Sequence, residues 1–132
     1  MNVIVGPHDD HEKLSGGKPA PNQIRGIGQL DTGADWTLLN GHLLGAARRL
    51  FPITDRAKAH GPGAPKQAPG ALHDAVAISL LFPDLSWGAL IRRATVFPDL
   101  PDGLLVLVGR DVLSQGVLTY NGREGRFSFT IP

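Results

Sequence analysis

The sequence predicts an all-β domain, on the evidence of its turn residues, its short apolar runs and its length. Seventeen glycines and eleven prolines are spread along 132 residues, and both residue types interrupt helices and favour turns. The apolar runs between them are short and β-prone, which is the spacing of strands in all-β folds. A chain of this length with 42% hydrophobic residues can build one core, so we expect a single domain over residues 1–132.

Charge and cysteine content argue against several kinds of partner and site. The formal net charge is +1 and both signs are interspersed, so we expect no nucleic-acid and no membrane partner. The chain has no cysteine, which excludes disulfides and thiolate metal sites. No apolar run reaches the length of a membrane span, and residues 1–7 lack the regions of a signal peptide. We therefore expect a cytoplasmic protein without a cofactor, or a piece of a longer precursor.

The strands are expected in short segments, and two stretches are ambiguous. Strands are predicted at residues 2–5, 24–30, 51–57, 71–82, 87–97, 104–108, 116–120 and 126–131. Residues 37–50 fit either a short helix or a strand and a turn, and residues 110–115 fit one or two helical turns. Residues 8–22 and 60–70 are expected as loops because they are rich in turn formers. Asn121-Gly122 predicts a hairpin between the last two strands.

The segment most informative about chemistry is Leu30-Asp31-Thr32-Gly33-Ala34, directly after the predicted strand 24–30. An acidic residue at the end of an apolar strand, followed by a small turn-forming pair, puts a carboxylate where the backbone bends away from it. By itself an Asp-Thr-Gly tripeptide is more often an ordinary turn than a catalytic one. The catalytic interpretation therefore depends on a second segment elsewhere in the chain.

Two segments in the right order resemble the retropepsin-like (retroviral-type) aspartic proteases. The run around Asp31 is similar to the active-site loop of that family, and the similarity extends through Asp35 and Thr37. A second segment resembles the family's buried strand and the short helix after it: Leu105-Val106-Leu107-Val108-Gly109-Arg110-Asp111-Val112-Leu113. The resemblance covers residues 24–132, in layout rather than identity between the two segments. It implies a closed acid-protease barrel with one short C-terminal helix, closest to the cellular and bacterial branch.

The same resemblance implies an aspartic endopeptidase that works as a two-fold homodimer. The chain has a single Asp-Thr-Gly and is too short for two lobes, so each chain would give one Asp31 to a shared site. Two carboxylates so close share a proton, which lets one activate water while the other donates to the peptide carbonyl. The substrate would be a peptide or protein. The alternative is a catalytically weak or inactive dimerisation or peptide-binding module.

The residues next to the aspartate take their expected roles from the resemblance. The Thr32 hydroxyl would reach the partner's loop, or make only a local turn. Gly33 and Ala34 are small, which lets the substrate backbone approach. Asp35 would border the substrate and form an ion pair with Arg110 that braces the loop, unless both are solvated surface charges.

Four more positions are expected to contact substrate. Trp36 fits a residue that narrows a subsite, and equally a packed core residue. Leu105 and Leu107 would line the pocket beside the scissile bond, or belong to the core. Gln29 stands where the family has an apolar residue, and this departure would change substrate preference or weaken the site.

Three further segments carry weaker expectations. Residues 60–70 fall where the family has a flap that closes over substrate, although their prolines cannot donate backbone hydrogen bonds and a plain surface loop is the alternative. Residues 126–131, with residues 2–5 nearby, are candidates for a sheet that joins two chains. His8-Asp9-Asp10-His11 is interpreted as a solvated loop rather than a metal site.

Overall fold

The computed structural model describes residues 1–8, 23–59 and 71–130, and most of them are in strands. The strands, numbered in chain order, are β1 Asn2–Pro7, β2 Ile24–Leu30, β3 Leu38–Asn40, β4 Ile53–Ala59, β5 Ala71–Phe82, β6 Trp87–Phe97, β7 Val106–Val108, β8 Val117–Asn121 and β9 Arg126–Thr130. The α-helices are short: α1 is Gly41–Leu44 and α2 is Arg110–Leu113. Short 3₁₀ segments occupy Gly45–Leu50, Pro83–Leu85 and Pro101–Gly103.

Six strands close into a barrel, which confirms the predicted all-β barrel architecture. The order around the barrel is β1-β2-β7-β3-β6-β5, and β5 pairs back onto β1. Strand β4 extends the sheet beyond β5. Most pairings are antiparallel, but β2 with β7 and β3 with β6 are parallel. Closure leaves the six strands with few unpaired edges, so backbone polar groups are satisfied inside the ring.

The core fills the barrel interior, and β7, one strand of the barrel wall, contributes to it. All three residues of β7 are buried, as expected for a strand covered on both faces. Val106 and Val108 pack with buried aliphatic side chains from the long strands β5 and β6. A second, smaller cluster joins Leu38 and Leu107 to Phe97, Leu100 and Leu104. Strand β7, which leads to the predicted helix, has only three residues, so its position is fixed by side-chain packing.

Residues 37–50, which the sequence left ambiguous, contain both a strand and helical turns. Strand β3 ends at Asn40, whose side-chain oxygen accepts a hydrogen bond from the Leu43 amide at 3.1 Å and so caps α1. The same side chain donates to Asp99 and to the Leu104 carbonyl, each at 2.9 Å. The fold thus has a second short helix besides the expected C-terminal one. It begins where Asn40 can cap it.

The C-terminal hairpin forms as predicted, but its loop is longer than the Asn-Gly pair suggests. Asn121 pairs with Arg126 as the last strand pair, and residues 122–125 form the turn. The Asn121 side-chain oxygen accepts from the amides of Arg123 and Glu124, at 3.1 and 3.3 Å. Asn121 therefore supports the turn from the strand end instead of occupying it. The hairpin is a separate two-stranded sheet.

Several expectations concern residues that the structure does not describe. The flap assignment at residues 60–70 lies outside the described residues, as do residues 9–11 of the His-Asp run and residue 131 of the last strand. Strand β1 pairs with β2 and β5 inside the barrel, and a chain-joining sheet with residues 126–131 stays a prediction. Across the described ranges, none of the helices has the length and apolar character to cross a membrane.

Candidate active site

The loop that carries Asp31 crosses over the end of strand β7. It connects β2 to β3, and these two strands lie on either side of β7 in the sheet. The Asp31 amide donates to the Val108 carbonyl at 2.9 Å, which continues the parallel pairing of β2 with β7. Gly109 follows β7 directly beneath the loop. A Cβ atom at Gly109 would lie only 2.5 Å from the backbone carbonyl carbon of Trp36, so only glycine fits this crossing.

The Asp31 side chain is half-buried and its orientation is set locally. Its Oδ1 accepts a hydrogen bond from the Gly33 amide at 2.9 Å, and its carbonyl accepts from the Ala34 amide at 3.2 Å. Thr32 and Gly33 are exposed at the tip of this turn. The turn thus holds the carboxylate at the protein surface in a defined direction. A surface carboxylate with a fixed orientation is able to act on a group bound outside the chain.

A buried hydrogen-bond network holds the far end of the loop to the start of α2. The Thr37 hydroxyl donates to Asp111 Oδ1 at 2.8 Å, and the Thr37 amide donates to Asp111 Oδ2 at 3.1 Å. The Thr37 hydroxyl also accepts from the Gly109 amide at 3.2 Å, and Thr37 is fully buried. Asp111 Oδ1 accepts in addition from the Val112 amide at 3.0 Å. Hydrogen bonds to a charged acceptor are stronger than neutral ones, so this network is the main brace of the loop.

The predicted ion pair between Asp35 and Arg110 is present at the surface. The Arg110 guanidinium contacts Asp35 Oδ1, and the two side chains are 59% and 69% exposed. The Arg110 amide also donates to the Ala34 carbonyl at 2.8 Å. Exposed ion pairs contribute about 0–1 kcal/mol, so the backbone bond does more to fix the loop than the charges do. A substrate contact by Asp35 stays a prediction.

The other predicted site residues are placed in different environments. Trp36 is 51% exposed and lies beneath the guanidinium of Arg93, whose central carbon is 5.7 Å from the ring centroid, so it is not a core residue. Leu105 and Leu107 are both buried, at 0% and 5% exposure, and pack in the two core clusters. Gln29 is exposed. The substrate contacts expected of these four residues stay predictions.

An apolar groove of about 430 Å³ lies next to the Asp31 loop, between β2 and the C-terminal hairpin. We call it the hairpin groove; it is lined by Met1, Gly28, Gln29, Leu30, Thr32, Leu118, Tyr120 and Phe127. Tyr120 and Phe127 are cross-strand partners on the hairpin and are 69% and 54% exposed. Exposed apolar surface of this kind is frequent where proteins bind other molecules.

Sequence reasoning missed two features of this site. The bracing role of Thr37 and Asp111 was not predicted, although an acidic residue at the start of a predicted helix is a signal for capping and bracing. The approach of the hairpin to Thr32 was also missed, because it joins residues far apart in the sequence. Neither feature brings metal ligands together: the described part of the chain has no group of three or more His, Asp or Glu side chains suited to a metal ion.

Comparison with known proteins adds no relative to this description. No family model, no curated protein and no solved structure matches the chain.

Proposed function

We propose that this protein is a retropepsin-like aspartic endopeptidase, active as a homodimer with one Asp31 from each chain. The observation that carries the proposal is the braced loop: a carboxylate at the end of β2, oriented by the Gly33 amide and held over β7 by Thr37 and Asp111. Chemistry on a peptide needs carboxylates whose positions do not drift. This loop meets that requirement with bonds from its own chain.

The proposed reaction uses the two carboxylates as one unit. Like charges a few ångströms apart cannot both persist, so the pair carries one shared proton. The ionised carboxylate takes a proton from a water molecule as the water oxygen attacks the peptide carbonyl carbon. The protonated carboxylate gives its proton to the carbonyl oxygen. The tetrahedral species then collapses: one of its hydroxyl groups returns a proton to the ionised carboxylate, the carbon–nitrogen bond breaks, and the nitrogen leaves as an amine with the proton of the other carboxylate.

The proposed dimer interface is the surface that surrounds Thr32 and the hairpin groove. Thr32 is exposed beside Asp31, and it also lines the groove. The hairpin residues Val117, Leu118, Tyr120 and Phe127 are all exposed and apolar. Covering such side chains with a second copy removes apolar surface from water at about 25 cal/mol per Å². The same contact would bring two Asp31 loops together.

The test is peptidase activity of Asp31→Asn on a peptide library, with Asp102→Asn as the matched control. Asp102 precedes Gly103 and has φ 57, a conformation that asparagine also tolerates. Asp31→Asn is expected to lower the rate by about a thousandfold without unfolding the barrel, because it removes the general base. The control should retain full activity. Cleavage by Asp31→Asn at the wild-type rate would refute the proposal.

Mixing experiments test whether the site is shared between chains. If each dimer needs two intact Asp31 residues, an excess of Asp31→Asn protein should suppress wild-type activity after exchange of subunits. Asp102→Asn in the same excess should not. Wild-type activity that persists in the mixture, with mixed dimers demonstrated by mass, would show that one chain is enough.

A second candidate is a dimerisation or peptide-binding module with little catalysis. The observation that favours it is the hairpin groove, whose exposed apolar lining supports binding whether or not Asp31 acts. Gln29 adds a polar side chain at the groove where the resembled family has an apolar one. Wild type and Asp31→Asn that bind the same peptides with equal affinity, and cut none, would favour this candidate over the protease.

A further inference from the structure

A second pocket, of about 380 Å³, lies beside the paired strands β4 and β5. No residue of the Asp31 loop lines it. Its polar side is formed by Arg48 of the 3₁₀ turn, Arg56 of β4, and His73 and Asp74 of β5. Its apolar side includes Leu72 and Phe97. We call it the arginine pocket. Two guanidinium groups and one imidazole thus surround a single carboxylate in this pocket.

The charges of the arginine pocket do not balance. Asp74 Oδ2 lies 3.0 Å from Arg48, and Asp74 Oδ1 lies 3.3 Å from Arg56. Asp74 is the one acidic residue in the described lining, so one negative charge faces two guanidinium groups. Each guanidinium keeps several N–H donors beyond its contact with Asp74. The Arg48 and Asp74 side chains are 26% and 32% exposed and the Arg56 side chain is 68% exposed, so water screens the charge of Arg48 less than that of Arg56.

The apolar side of the pocket constrains the shape of a fitting ligand. Leu72 is 57% exposed at the rim, and the ring of buried Phe97 packs against His73 with 4.1 Å between centroids. The imidazole is thereby held at the boundary between the polar and apolar sides. A bare anion would meet the guanidinium groups but would leave the apolar side uncovered. A carboxylate joined to an apolar body would satisfy both sides, because guanidinium matches carboxylate geometry in a bidentate contact.

We propose that the arginine pocket binds an apolar carboxylate, such as the C-terminal residue of a peptide with a bulky apolar side chain. The carboxylate would bind Arg48 and Arg56 in competition with Asp74. The apolar side chain would lie on Leu72 and Phe97. Binding there does not depend on peptidase activity, so the inference stands or falls separately from the proposed function.

The test is titration of the full chain with N-acetyl-leucine, followed by the backbone amide NMR signals of His73 and Asp74. We expect saturable shifts with a dissociation constant of about 1 mM or lower. N-acetyl-leucinamide, which lacks the charge, and inorganic phosphate, which lacks the apolar part, should each bind at least about tenfold more weakly. No saturable shift with the acid, or equal binding of the amide or of phosphate, would overturn the proposal.

Two substitutions separate a ligand site from a purely structural ion network. Arg48→Gln should weaken binding of the acid at least about tenfold, whereas Arg49→Gln, an exposed arginine on the same 3₁₀ turn, should not. Asp74→Asn removes the competing carboxylate and should tighten binding by up to about fivefold. If the ion network is purely structural, neither the wild-type protein nor the Asp74→Asn protein should bind the acid. Weaker binding in a folded Asp74→Asn protein, or equal losses in the Arg48 and Arg49 variants, would overturn the proposal.

Discussion

The Asp31 loop and the C-terminal hairpin are held in opposite ways. The loop is short and exposed at its tip, but Thr37, Gly109 and Asp111 fix its far end with buried and partly buried hydrogen bonds across 72 and 74 positions of sequence. The hairpin has regular strand pairing, yet every residue of β8 is exposed and the hairpin pairs with no described barrel strand. Its attachment includes an edge-on contact of Phe129 with Trp87, at 5.5 Å.

The difference separates a region whose geometry is fixed within the chain from a region that leaves apolar side chains exposed. The loop is braced from within, so its geometry does not require a partner. The hairpin leaves large apolar side chains in water, an arrangement that costs solubility unless a surface covers them. If the proposed dimer is correct, the braced region supplies the carboxylate and the exposed region supplies the contact.

The largest effect is expected from Gly109→Ala, which disrupts the close packing of the Asp31 loop over the end of β7. The new Cβ would meet the backbone carbonyl carbon and oxygen of Trp36 at 2.5 and 2.6 Å, so backbone must move. We expect a loss of about 3 kcal/mol in the free energy of unfolding, measured by urea denaturation. Gly122→Ala in the hairpin turn is the matched control, because its nearest contact would be an ordinary 3.6 Å. Equal losses of unfolding free energy in the two variants would show that the crossing at Gly109 is no more constrained than the hairpin turn.

Thr37→Val should give the next largest loss of stability. It keeps the shape of the side chain but removes the hydroxyl that donates to Asp111 and accepts from the Gly109 amide. Leaving buried partners unsatisfied costs about 1–3 kcal/mol. Thr119→Val, at an exposed position of β8, should change the unfolding free energy by less than about 0.5 kcal/mol. A Thr37→Val protein as stable as the Thr119 variant would show that the network does not brace the loop.

The double substitution Tyr120→Ser with Phe127→Ser tests the hairpin. Both side chains are exposed in the single chain, so the unfolding free energy of the monomer should change little. The dissociation constant of the proposed dimer should rise at least about tenfold, measured by sedimentation equilibrium. Leu43→Ser, an exposed apolar residue on α1, is the control. An unchanged dissociation constant in the double variant would show that the hairpin does not form the dimer interface.

The smallest effect is expected from Asp35→Asn, which breaks the exposed pair with Arg110. Both side chains are more than half exposed, so water and salt screen the interaction. We expect a loss of less than about 1 kcal/mol in unfolding free energy, and less still in high salt. A loss as large as that of Thr37→Val would mean that the charged pair, rather than the buried network, braces the loop.

The sequence by itself determined the all-β class, the strand end at Asp31 and the helix after Gly109. These features depend on local pattern: apolar runs between turn residues, a small pair after an acid, and a glycine before a short helical turn. Asn121 likewise predicted the hairpin. It did not predict the loop length, because its side chain bonds to amides beyond the strand end.

Only the tertiary structure decided which distant residues meet. Thr37 and Asp111 share hydrogen bonds because β3 and β7 pair, and Leu105 and Leu107 are buried because they pack in the two core clusters. The exposure of Trp36, the hairpin groove and the arginine pocket likewise depend on how strands and turns far apart in sequence come together. Local patterns specify conformation, whereas such contacts depend on strand order and register, which no single segment encodes.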